Sequence, residues 1–237
     1  MDEVRNGHAQ IAGEEARHLT RVLRVEAGQR YEISDNRHLY LAEIETARKE
    51  SVVFRTLERL PEAPAFARFE LYAALVKFDR FEWMVEKATE LGVTEIVPVE
   101  ATRSDRGLEK AAAKRVERWR RIALEASQQA RRRHLPEIAE PVPLARALAR
   151  TATCRYVLDE RPGAAPLLKA LPAGRSAQDT VAILTGPEGG WTEEERDLFT
   201  AAGWTAVSMG PLILRAETAA LAALAVVSQA WLPGIHC

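Results

Sequence analysis

Residues 184–195 predict a buried strand that runs directly into a glycine-rich turn and a helix, with the sequence Leu-Thr-Gly-Pro-Glu-Gly-Gly-Trp-Thr-Glu-Glu-Glu. The apolar run at 181–184 is typical of a strand covered on both faces. Glycines in the turn allow backbone angles that other residues resist, and they let a ligand approach the main chain. Thr192 and Glu195 have the spacing of a capping box, which predicts the start of a helix. Open α/β sheets bind ligands at the carboxyl ends of their strands, so the segment indicates an α/β fold with a ligand loop.

The residues of this loop argue against a phosphate ligand, although helix N-termini favour anions. A phosphate-binding P-loop has Gly-Lys-Ser/Thr after its glycines, and this loop has no such lysine. The dinucleotide-binding Gly-x-Gly-x-x-Gly pattern is absent as well. Glu188 would repel phosphate, so the loop favours a neutral or cationic ligand that hydrogen-bonds the backbone. A strand–helix turn without any ligand is the alternative.

A second segment of the same kind lies at 207–221, with the sequence Val-Ser-Met-Gly-Pro-Leu-Ile-Leu-Arg-Ala-Glu-Thr-Ala-Ala-Leu. A short strand again leads into a Gly-Pro turn and a compact apolar stretch. Arg215, Glu217 and Thr218 then introduce an alanine-rich helix. We expect the two loops to face each other if their strands are neighbours in one sheet.

The two segments together resemble the SPOUT class of S-adenosylmethionine-dependent RNA methyltransferases, and more closely its RsmE family. Similarity to the family extends over nearly the whole chain, at 18–24 with Gly28 after it, and at 77–93, 102–104 and 119–126. The resemblance implies S-adenosylmethionine as the cofactor and methylation of N3 of a uridine in 16S ribosomal RNA. It also implies a PUA-like domain, a deep carboxyl-terminal trefoil knot and a homodimer. Periodicity alone predicts no knot, because knots are rare.

Two departures from the family pattern concern RNA contacts. The family usually begins with a segment resembling Met-Arg-Arg-Phe-Phe, whereas this chain begins Met-Asp-Glu-Val-Arg. The family often has Gln-Ser-Gly-Arg near the end of its long basic helix, whereas residues 129–132 are Gln-Ala-Arg-Arg. Arg131 therefore stands where the family has glycine, and it adds a positive charge.

Cofactor binding is assigned to the two loops, whose backbone groups can read adenine edges and whose leucines can cover its faces. The predicted cofactor-binding residues are Leu184, Thr185, Gly186, Pro187, Glu188, Gly189, Gly190, Met209, Gly210, Leu212, Ile213, Leu214, Thr218 and Ala219. Uridine N3 lies on the Watson–Crick edge, so the target base must be unpaired or flipped before transfer.

Two residues are candidates for the chemistry. Arg215 would stabilise the negative charge that develops on uracil O2 and O4, as an oxyanion hole does. Glu217 would orient Arg215 or act as a base. An ordinary ion pair that caps the last helix is the alternative for both residues.

Basic residues are candidates for RNA contact, although the formal net charge of −1 gives the chain no overall attraction to RNA. Residues 110–133 contain nine basic and two acidic residues, which is typical of an RNA footprint or of a solvated helix face. The RNA-binding candidates are Arg24, Arg103, Arg106 and Arg132. The expected partners are 16S ribosomal RNA in the assembled 30S subunit and a second copy of the chain.

Other features exclude whole classes of protein. The two cysteines, Cys154 and Cys237, form neither a zinc cluster nor a disulfide scaffold, and the five histidines lack metal-ligand spacing, so no metal is predicted. The amino terminus lacks the apolar region of a signal peptide. The most apolar stretch, 218–227, is too short to span a bilayer. We therefore expect a cytoplasmic protein that does not act at a membrane.

The hydrophobic pattern changes at a proline-rich linker at 60–65. A small PUA-like β-barrel that binds RNA is predicted at 1–62, with strands at 30–34, 39–44 and 51–57 after a helical turn at 19–25. A barrel without RNA binding is the alternative. A methyltransferase domain with a parallel sheet is predicted at 68–237. Its predicted strands lie at 71–76, 95–99, 155–158, 181–184 and 206–208. Its predicted helices lie at 80–91, 108–132, 164–171, 192–202 and 216–232.

Three other functions fit parts of the pattern. A related SPOUT enzyme could methylate a ribose 2′-hydroxyl or a tRNA base with the same cofactor loops. A non-catalytic RNA-binding protein could retain the barrel and an inactive pocket, which the intact loop motifs disfavour. A nucleotide hydrolase is disfavoured by Glu188 and by the missing phosphate-binding lysine.

Overall fold

The structure, a computed structural model, describes residues 4–61, 66–105 and 107–232. The chain divides into two compact units, which are described separately below. The first unit comprises Met1–Pro64 and Arg131–His134, and the second comprises Ala65–Ala130 and Leu135–Cys237. The predicted RNA contact Arg106 lies outside the described residues, as do Cys237 and most of the predicted linker.

The first unit is an antiparallel sheet with one helix against it. Its elements are β1 (His8–Ala12), α1 (Gly13–Arg21), β2 (Arg30–Ser34), β3 (Leu39–Arg48) and β4 (Ser51–Arg59). The strand order β1-β4-β3-β2 leaves β1 and β2 as the two edges among residues 4–61, so these strands form an open sheet. The three predicted strands are confirmed, but β1 was not predicted because only Ala9 of its five residues is buried. The helix begins six residues earlier than the predicted turn.

A small apolar core holds this unit together. Ala16 of α1 packs with Ile44 and Phe54 from the central strands, and all three are at least 97% buried. Alternation of buried and exposed residues along β4 places one face of the strand on this core. The other face is more exposed and mixes polar with apolar side chains, as expected of an antiparallel sheet covered on one side.

The segment Arg131–His134 joins the first unit through hydrogen bonds. Ser34 Oγ donates to the carbonyl of Arg133 at 2.5 Å, and Arg133 Nη1 donates to the carbonyl of Pro61 at 2.7 Å. His134 Nδ1 lies 2.9 Å from the carbonyl of Asn36. Arg131 itself has a φ of 53°, a left-handed conformation that costs a non-glycine residue about 1–2 kcal/mol. Backbone geometry therefore explains the glycine of the family pattern at this position.

The second unit is built on a parallel sheet. Its strands are β5 (Arg68–Ala74), β6 (Glu95–Glu100), β7 (Glu137–Ile138), β8 (Val142–Pro143), β9 (Cys154–Leu158), β10 (Ala165–Pro166), β11 (Thr180–Thr185) and β12 (Thr205–Ser208). They are ordered β10-β12-β9-β11-β5-β6-β7, with β8 also beside β6. Every pairing is parallel. The five predicted strands are confirmed, and the three two-residue strands were too short to predict.

Helices cover both faces of this sheet. They are α2 (Phe78–Glu90), α3 (Leu108–Ala112), α4 (Val116–Gln129), α5 (Leu144–Leu148), α6 (Leu167–Ala170), α7 (Glu193–Ala201) and α8 (Ala216–Ala230). Leu71 and Ile183 face a core shared with α2, α4 and α8. Tyr72 and Leu184 face the opposite core, which includes residues of α5 and α7. Burial on both faces explains why the central strands are nearly continuous apolar runs.

Two predicted helices differ from the structure. The helix predicted at 108–132 is broken into α3, a 3₁₀ turn at Ala113–Arg115, and α4. Ala112, Val116 and Trp119 are buried on both sides of the break and keep helical spacing, so periodicity did not reveal it. The helix predicted at 164–171 begins only at Leu167, because Pro166 disfavours helical geometry at the residue before it.

Helices long and apolar enough to cross a membrane do not occur in the three described ranges.

Candidate active site

The loop between β11 and α7, residues 186–192, is fixed by its own hydrogen bonds and is here named the β11 loop. The amide of Gly190 donates to the carbonyl of Pro187 at 2.9 Å, which closes a turn. Gly190 has a φ of 68°, a value that favours glycine. Trp191 is fully buried, and its Nε1 donates to the carbonyl of Leu158 at 2.9 Å. The loop is therefore anchored to the end of β9 as well as to β11.

The buried carboxylate of Glu195 connects this loop to the end of β6. Its Oε2 accepts from the amide of Thr192 at 2.8 Å, and Thr192 Oγ1 accepts from the amide of Glu195 at 3.2 Å. This is the predicted capping box, and the structure confirms it. Oε1 accepts in addition from the amide of Thr102 at 2.8 Å. The Glu195 side chain thus accepts from two backbone amides, one in the β11 loop and one after β6.

Two glycines of the β11 loop are required by contacts inside the protein. A Cβ atom at Gly186 would lie 2.9 Å from Cε2 of Trp191. A Cβ atom at Gly189 would lie 2.9 Å from Cβ and 3.2 Å from the carbonyl oxygen of Arg103. Close packing against Trp191 and Arg103 is thus one reason for glycine here, beside the ligand access inferred from the sequence.

Charges around the β11 loop are paired. Glu188 Oε1 lies 2.9 Å from Arg80 Nη1 at the start of α2, so the loop does not carry the unpaired negative charge that its sequence indicates. Arg103 Nη1 donates to the carbonyls of Gly189 and Trp191 at 3.1 and 3.3 Å. Arg103 was predicted to contact RNA, whereas this guanidinium nitrogen holds the loop.

Asp159 and Arg196 form an ion pair beside the loop that sequence reasoning missed. Arg196 Nε and Nη2 donate to the two carboxylate oxygens of Asp159 at 2.9 and 3.1 Å. Burial alone would raise the pKa of Asp159, but the hydrogen bonds and charge of Arg196 hold that pKa below its ordinary 3.8. The position of Asp159 directly after a buried strand was the signal that could have found it.

The loop between β12 and α8, residues 209–215, is here named the β12 loop and is far more exposed. Leu212 and Ile213 are 77% and 88% exposed. Gly210 has a φ of 123° with open space around its Cα. The prediction placed β11 and β12 as possible neighbours, but β9 lies between them. Both loops nonetheless emerge at the carboxyl edge of the same parallel sheet.

The two catalytic candidates lie where the β12 loop enters α8. Arg215 is exposed at the N-cap of α8. Glu217 is only 7% exposed, and its Oε2 has no hydrogen-bond partner among the described residues. Within the same described ranges no ion pair joins Arg215 to Glu217, so the predicted alternative of a capping ion pair is not observed. A buried carboxylate oxygen without a partner indicates a site that a ligand can complete.

The remaining candidates at the carboxyl edge differ in burial. Leu184 and Thr185 are buried, and Thr185 Oγ1 donates to the carbonyl of Ala216 at 3.4 Å, which connects β11 to α8. Met209, Leu214 and Ala219 are partly buried, whereas Thr218 is exposed.

The predicted RNA contacts are dispersed. Arg24 and Arg132 belong to the first unit. Arg24 is exposed with a φ of 51°, and desolvation lowers the pKa of the partly buried Arg132.

The basic stripe at 110–133 is partly neutralised by ion pairs. Arg115 and Arg118 both contact Glu82, at 3.2 and 2.7 Å. Arg120 contacts Glu117 at 2.5 Å. These pairs favour the interpretation of α4 as a solvated helix face over that of a continuous RNA footprint.

Clusters of three or more His, Cys, Asp or Glu side chains that could hold a metal ion are not found in the described part of the chain.

Comparison with known proteins gives matches over both units. A family described as the RNA methyltransferase domain matches residues 63–228, and one described as the RNA methyltransferase PUA domain matches residues 11–57. Ribosomal RNA small subunit methyltransferase E of Bacillus subtilis is 30% identical over 92% of this chain and 88% of that protein. The protein of the same name from Synechocystis is 32% identical over 89% and 69% of the two chains.

Solved structures are similar over nearly the full length. Ribosomal RNA small subunit methyltransferase E from Neisseria gonorrhoeae, bound to S-adenosylmethionine, superposes with a TM-score of 0.86 and 28% identity, covering 98% of this chain and 96% of that one. A methyltransferase from Legionella pneumophila in complex with the same cofactor gives a TM-score of 0.82 and 28% identity, covering 97% and 94%.

Proposed function

Because this chain belongs to the ribosomal RNA small subunit methyltransferase E family, we propose that it methylates N3 of a uridine in 16S ribosomal RNA with S-adenosylmethionine. The observation that carries the proposal is the pair of loops at one edge of the parallel sheet, one held rigidly and one exposed. The chain is also similar over both units to RNA methyltransferases, and two of the similar structures have the cofactor bound, which supports the same reaction.

The residues at this edge fit S-adenosylmethionine, which is a cation at its sulfonium and ammonium groups. The buried Glu217 offers an unpartnered carboxylate oxygen, and Glu188 adds a second carboxylate in the β11 loop, which Arg80 partly neutralises. When bound, the cofactor supplies an electrophilic methyl group, so the protein contributes mainly position and electrostatics. The cofactor-binding residues predicted from the sequence, in the β11 and β12 loops and the adjoining ends of β11 and α8, are those we propose to hold it.

Leu212 and Ile213 have a direct role in this proposal. Large apolar side chains that are mostly exposed mark binding surfaces when they lie together. We assign them to cover the faces of the adenine ring, because both side chains are exposed on the loop that follows β12. Their burial on binding would remove apolar surface from water and so favour the complex.

Arg215 and Glu217 have distinct proposed roles in the reaction. Arg215 is exposed at the start of α8, so its guanidinium is available to stabilise negative charge on uracil O2 and O4. Glu217 is buried in the first turn of the same helix, so we assign it to positioning the loop and Arg215. Replacement of Arg215 by alanine should therefore lower kcat while leaving cofactor affinity nearly unchanged.

Recognition of RNA is assigned to both units. We propose that the first unit, predicted at 1–62, is an RNA-binding domain with Arg24 and Arg132 as phosphate contacts. Arg103 and Arg106 are the proposed contacts of the methyltransferase domain at 68–237. Binding should then weaken as salt is raised, because phosphate contacts release counterions. The proposed substrate is the assembled 30S subunit, and the proposed location is the cytoplasm.

A homodimer and a carboxyl-terminal trefoil knot complete the proposal. Both are properties of the family that the chain resembles. Self-association is physically reasonable, because most oligomers are symmetric dimers, and an exposed Leu212–Ile213 pair can be covered by a second copy as well as by the cofactor. Size-exclusion chromatography with light scattering distinguishes a dimer from a monomer.

The test of the function is methyl transfer from labelled S-adenosylmethionine to small ribosomal subunits that lack the modification. N3 methylation blocks Watson–Crick pairing, so reverse transcriptase should stop at the modified uridine. One stop in the decoding region of 16S RNA is the expected result. Label without a stop would indicate a ribose or another non-blocking position and would overturn the assignment to uridine N3.

A further inference from the structure

A cavity lies at the carboxyl edge of the sheet, beside the ends of β5 and β6. Its volume is about 460 Å³, within the roughly 300–1,000 Å³ of small-ligand sites. None of the predicted cofactor-binding residues lines it. The lining residues are Leu75, Glu100, Ala101, Thr102, Ser104, Gly107, Glu109 and Lys110.

Two polar groups of this cavity have no partner among the described residues. Ser104 Oγ is buried and makes no hydrogen bond. The Glu100 carboxylate, at the last position of β6, forms neither a hydrogen bond nor an ion pair with any described side chain or backbone group. Glu109, in contrast, already accepts from the amide of Gly107 at 3.0 Å. Glu100 is only partly buried, so water can reach its carboxylate. A buried hydroxyl without a partner, such as Ser104 Oγ, calls for an explanation in a native fold, and a ligand that completes it is one.

Hydrogen bonds connect the wall of the cavity to the β11 loop. The amide of Thr102 donates to Glu195 at 2.8 Å, and Arg103 Nη1 donates to the carbonyl of Gly189 at 3.1 Å. Both residues lie between Glu100 and Ser104 in the chain. Groups that line the cavity are therefore held by the same contacts that fix the loop assigned to the cofactor.

We propose that this cavity receives the uracil base of the target nucleotide, with Ser104 and Glu100 as its recognition groups. This proposal rests on the proposed function. Uracil presents two carbonyl acceptors on either side of one N3–H donor. Ser104 Oγ donates to a carbonyl, the Glu100 carboxylate accepts from N3–H, and Leu75 supplies an apolar wall. Cytosine lacks a proton on N3, so Glu100 would meet a lone pair and reject it.

The same arrangement makes Glu100 the acceptor of the proton that the reaction must remove. The N3 proton passes to the carboxylate of Glu100, which becomes a neutral acid. The electron pair left on N3 forms the bond to the methyl carbon, and the pair of the broken sulfur–carbon bond stays on sulfur. Proton removal comes first, because the proton occupies the in-plane position on N3 that the methyl carbon takes. Glu100 later returns its proton to water.

The pocket also distinguishes substrate from product. N3-methyluridine has no N3–H to donate and places a methyl group against Glu100. The protein should therefore bind unmethylated subunits more tightly than methylated ones, and this preference should depend on Glu100. Such a difference favours product release.

Two variants test the proposal in the full-length protein. Glu100→Gln should lower kcat by about 10²–10⁴-fold, the usual contribution of a positioned base, with the Kd for S-adenosylmethionine unchanged in calorimetry. Its rate should recover as pH rises, because the uridine then ionises without help. Ser104→Ala should raise KM for small subunits about tenfold.

Filter binding should show that Glu100→Gln no longer prefers unmethylated over methylated subunits. Glu90→Gln, which removes an exposed carboxylate from α2, is the matched control and should behave as the wild type.

The outcomes separate this inference from the proposed function. If the wild type methylates uridine N3 while both variants stay within threefold of it, the cavity does not hold the base and the proposed function stands. A weaker Kd for S-adenosylmethionine in either variant would reassign the cavity to the cofactor. If Glu100→Gln loses activity equally at every pH and still prefers unmethylated over methylated subunits, Glu100 has a structural role. A wild type that binds the cofactor but methylates no uridine would overturn the proposed function and this inference with it.

Discussion

The β11 loop and the β12 loop emerge from the same sheet edge, yet they are built in opposite ways. The β11 loop is fixed by Trp191, Glu195 and Arg103 through hydrogen bonds of 2.8–3.3 Å. The β12 loop presents Leu212 and Ile213 to solvent with more than three quarters of each side chain exposed. Similar motifs of strand, glycine-proline turn and helix therefore produce one rigid and one open loop.

This difference assigns separate tasks to the two loops. A loop whose polar groups are already satisfied can hold backbone groups in place before a ligand arrives, which lowers the entropic cost of binding. An exposed apolar loop gains its contacts only when something covers it. We therefore expect substitutions in the β11 loop to affect stability and binding together, and substitutions in the β12 loop to affect binding alone.

Gly189→Val should have the largest effect, because it adds a side chain where the rigid β11 loop packs closely against Arg103. The added Cβ would lie 2.9 Å from Cβ of Arg103, so the loop or Arg103 must move. Affinity for S-adenosylmethionine should fall by about 100-fold or more, roughly 2.8 kcal/mol, and the melting temperature should also fall. Calorimetry and thermal denaturation measure the two effects.

Gly174→Val provides the control for this substitution. Gly174 has nothing within 4 Å of its Cβ position and lies outside the site, so the same change there should leave binding unaltered. Tight cofactor binding by Gly189→Val would show that the β11 loop can rearrange, and the distinction between rigid and open loops would no longer hold.

Glu195→Ala should have the next largest effect, on stability first. It removes the acceptor for the amides of Thr102 and Thr192, and hydrogen bonds to a charged group contribute about 1.5–3 kcal/mol. We expect the free energy of unfolding to fall by about 2–4 kcal/mol, with weaker cofactor binding as a consequence. Asp197→Ala, at an exposed position of the same helix, should change the free energy of unfolding by no more than about 0.5 kcal/mol. Urea denaturation measures the free energy of unfolding of each variant. Equal losses of stability in both variants would contradict the role of the buried Glu195 carboxylate.

Leu212→Ala tests the open loop. Because Leu212 is 77% exposed, its truncation should leave the free energy of unfolding within about 0.5 kcal/mol of the wild type. If the cofactor buries it, affinity should fall about tenfold, equivalent to roughly 1.4 kcal/mol. Leu198→Ala removes another exposed leucine, on α7, and should leave affinity unchanged. A drop in melting temperature without a change in calorimetric Kd would mean that the β12 loop is a structural element instead.

The sequence predicted the β11 loop far better than its surroundings. Thr192 and Glu195 are three positions apart on one local motif, so their capping box could be recognised without any tertiary information. The contacts of Glu195 with Thr102 and of Trp191 with Leu158 join residues distant in sequence. They depend on strand order, which hydrophobic patterns do not determine.

Charge was the least predictable property of the site. Glu188 was interpreted as an unpaired anion because Arg80, its partner, lies 108 residues away in the chain. The basic residues of α4 were counted without Glu82, which approaches from α2. Family resemblance supplied the identity of the loops, but the electrostatics around them followed only from the packing of α2 against the sheet and α4.

Breaking the ion pair between Arg80 and Glu188 should have the smallest effect and is the most specific test of loop charge. Both side chains are about 30% exposed and lie 2.9 Å apart, so either single substitution should cost no more than about 1 kcal/mol of stability. Arg80→Ala leaves Glu188 unpaired beside a cationic ligand, so affinity for S-adenosylmethionine should rise slightly. Glu188→Gln removes that carboxylate, so affinity should fall by about threefold. Both shifts should shrink as ionic strength rises, because exposed charges are screened. If the two variants change the calorimetric Kd in the same direction, the pair acts by holding the loop in shape, and the β11 loop owes part of its rigidity to a contact with α2.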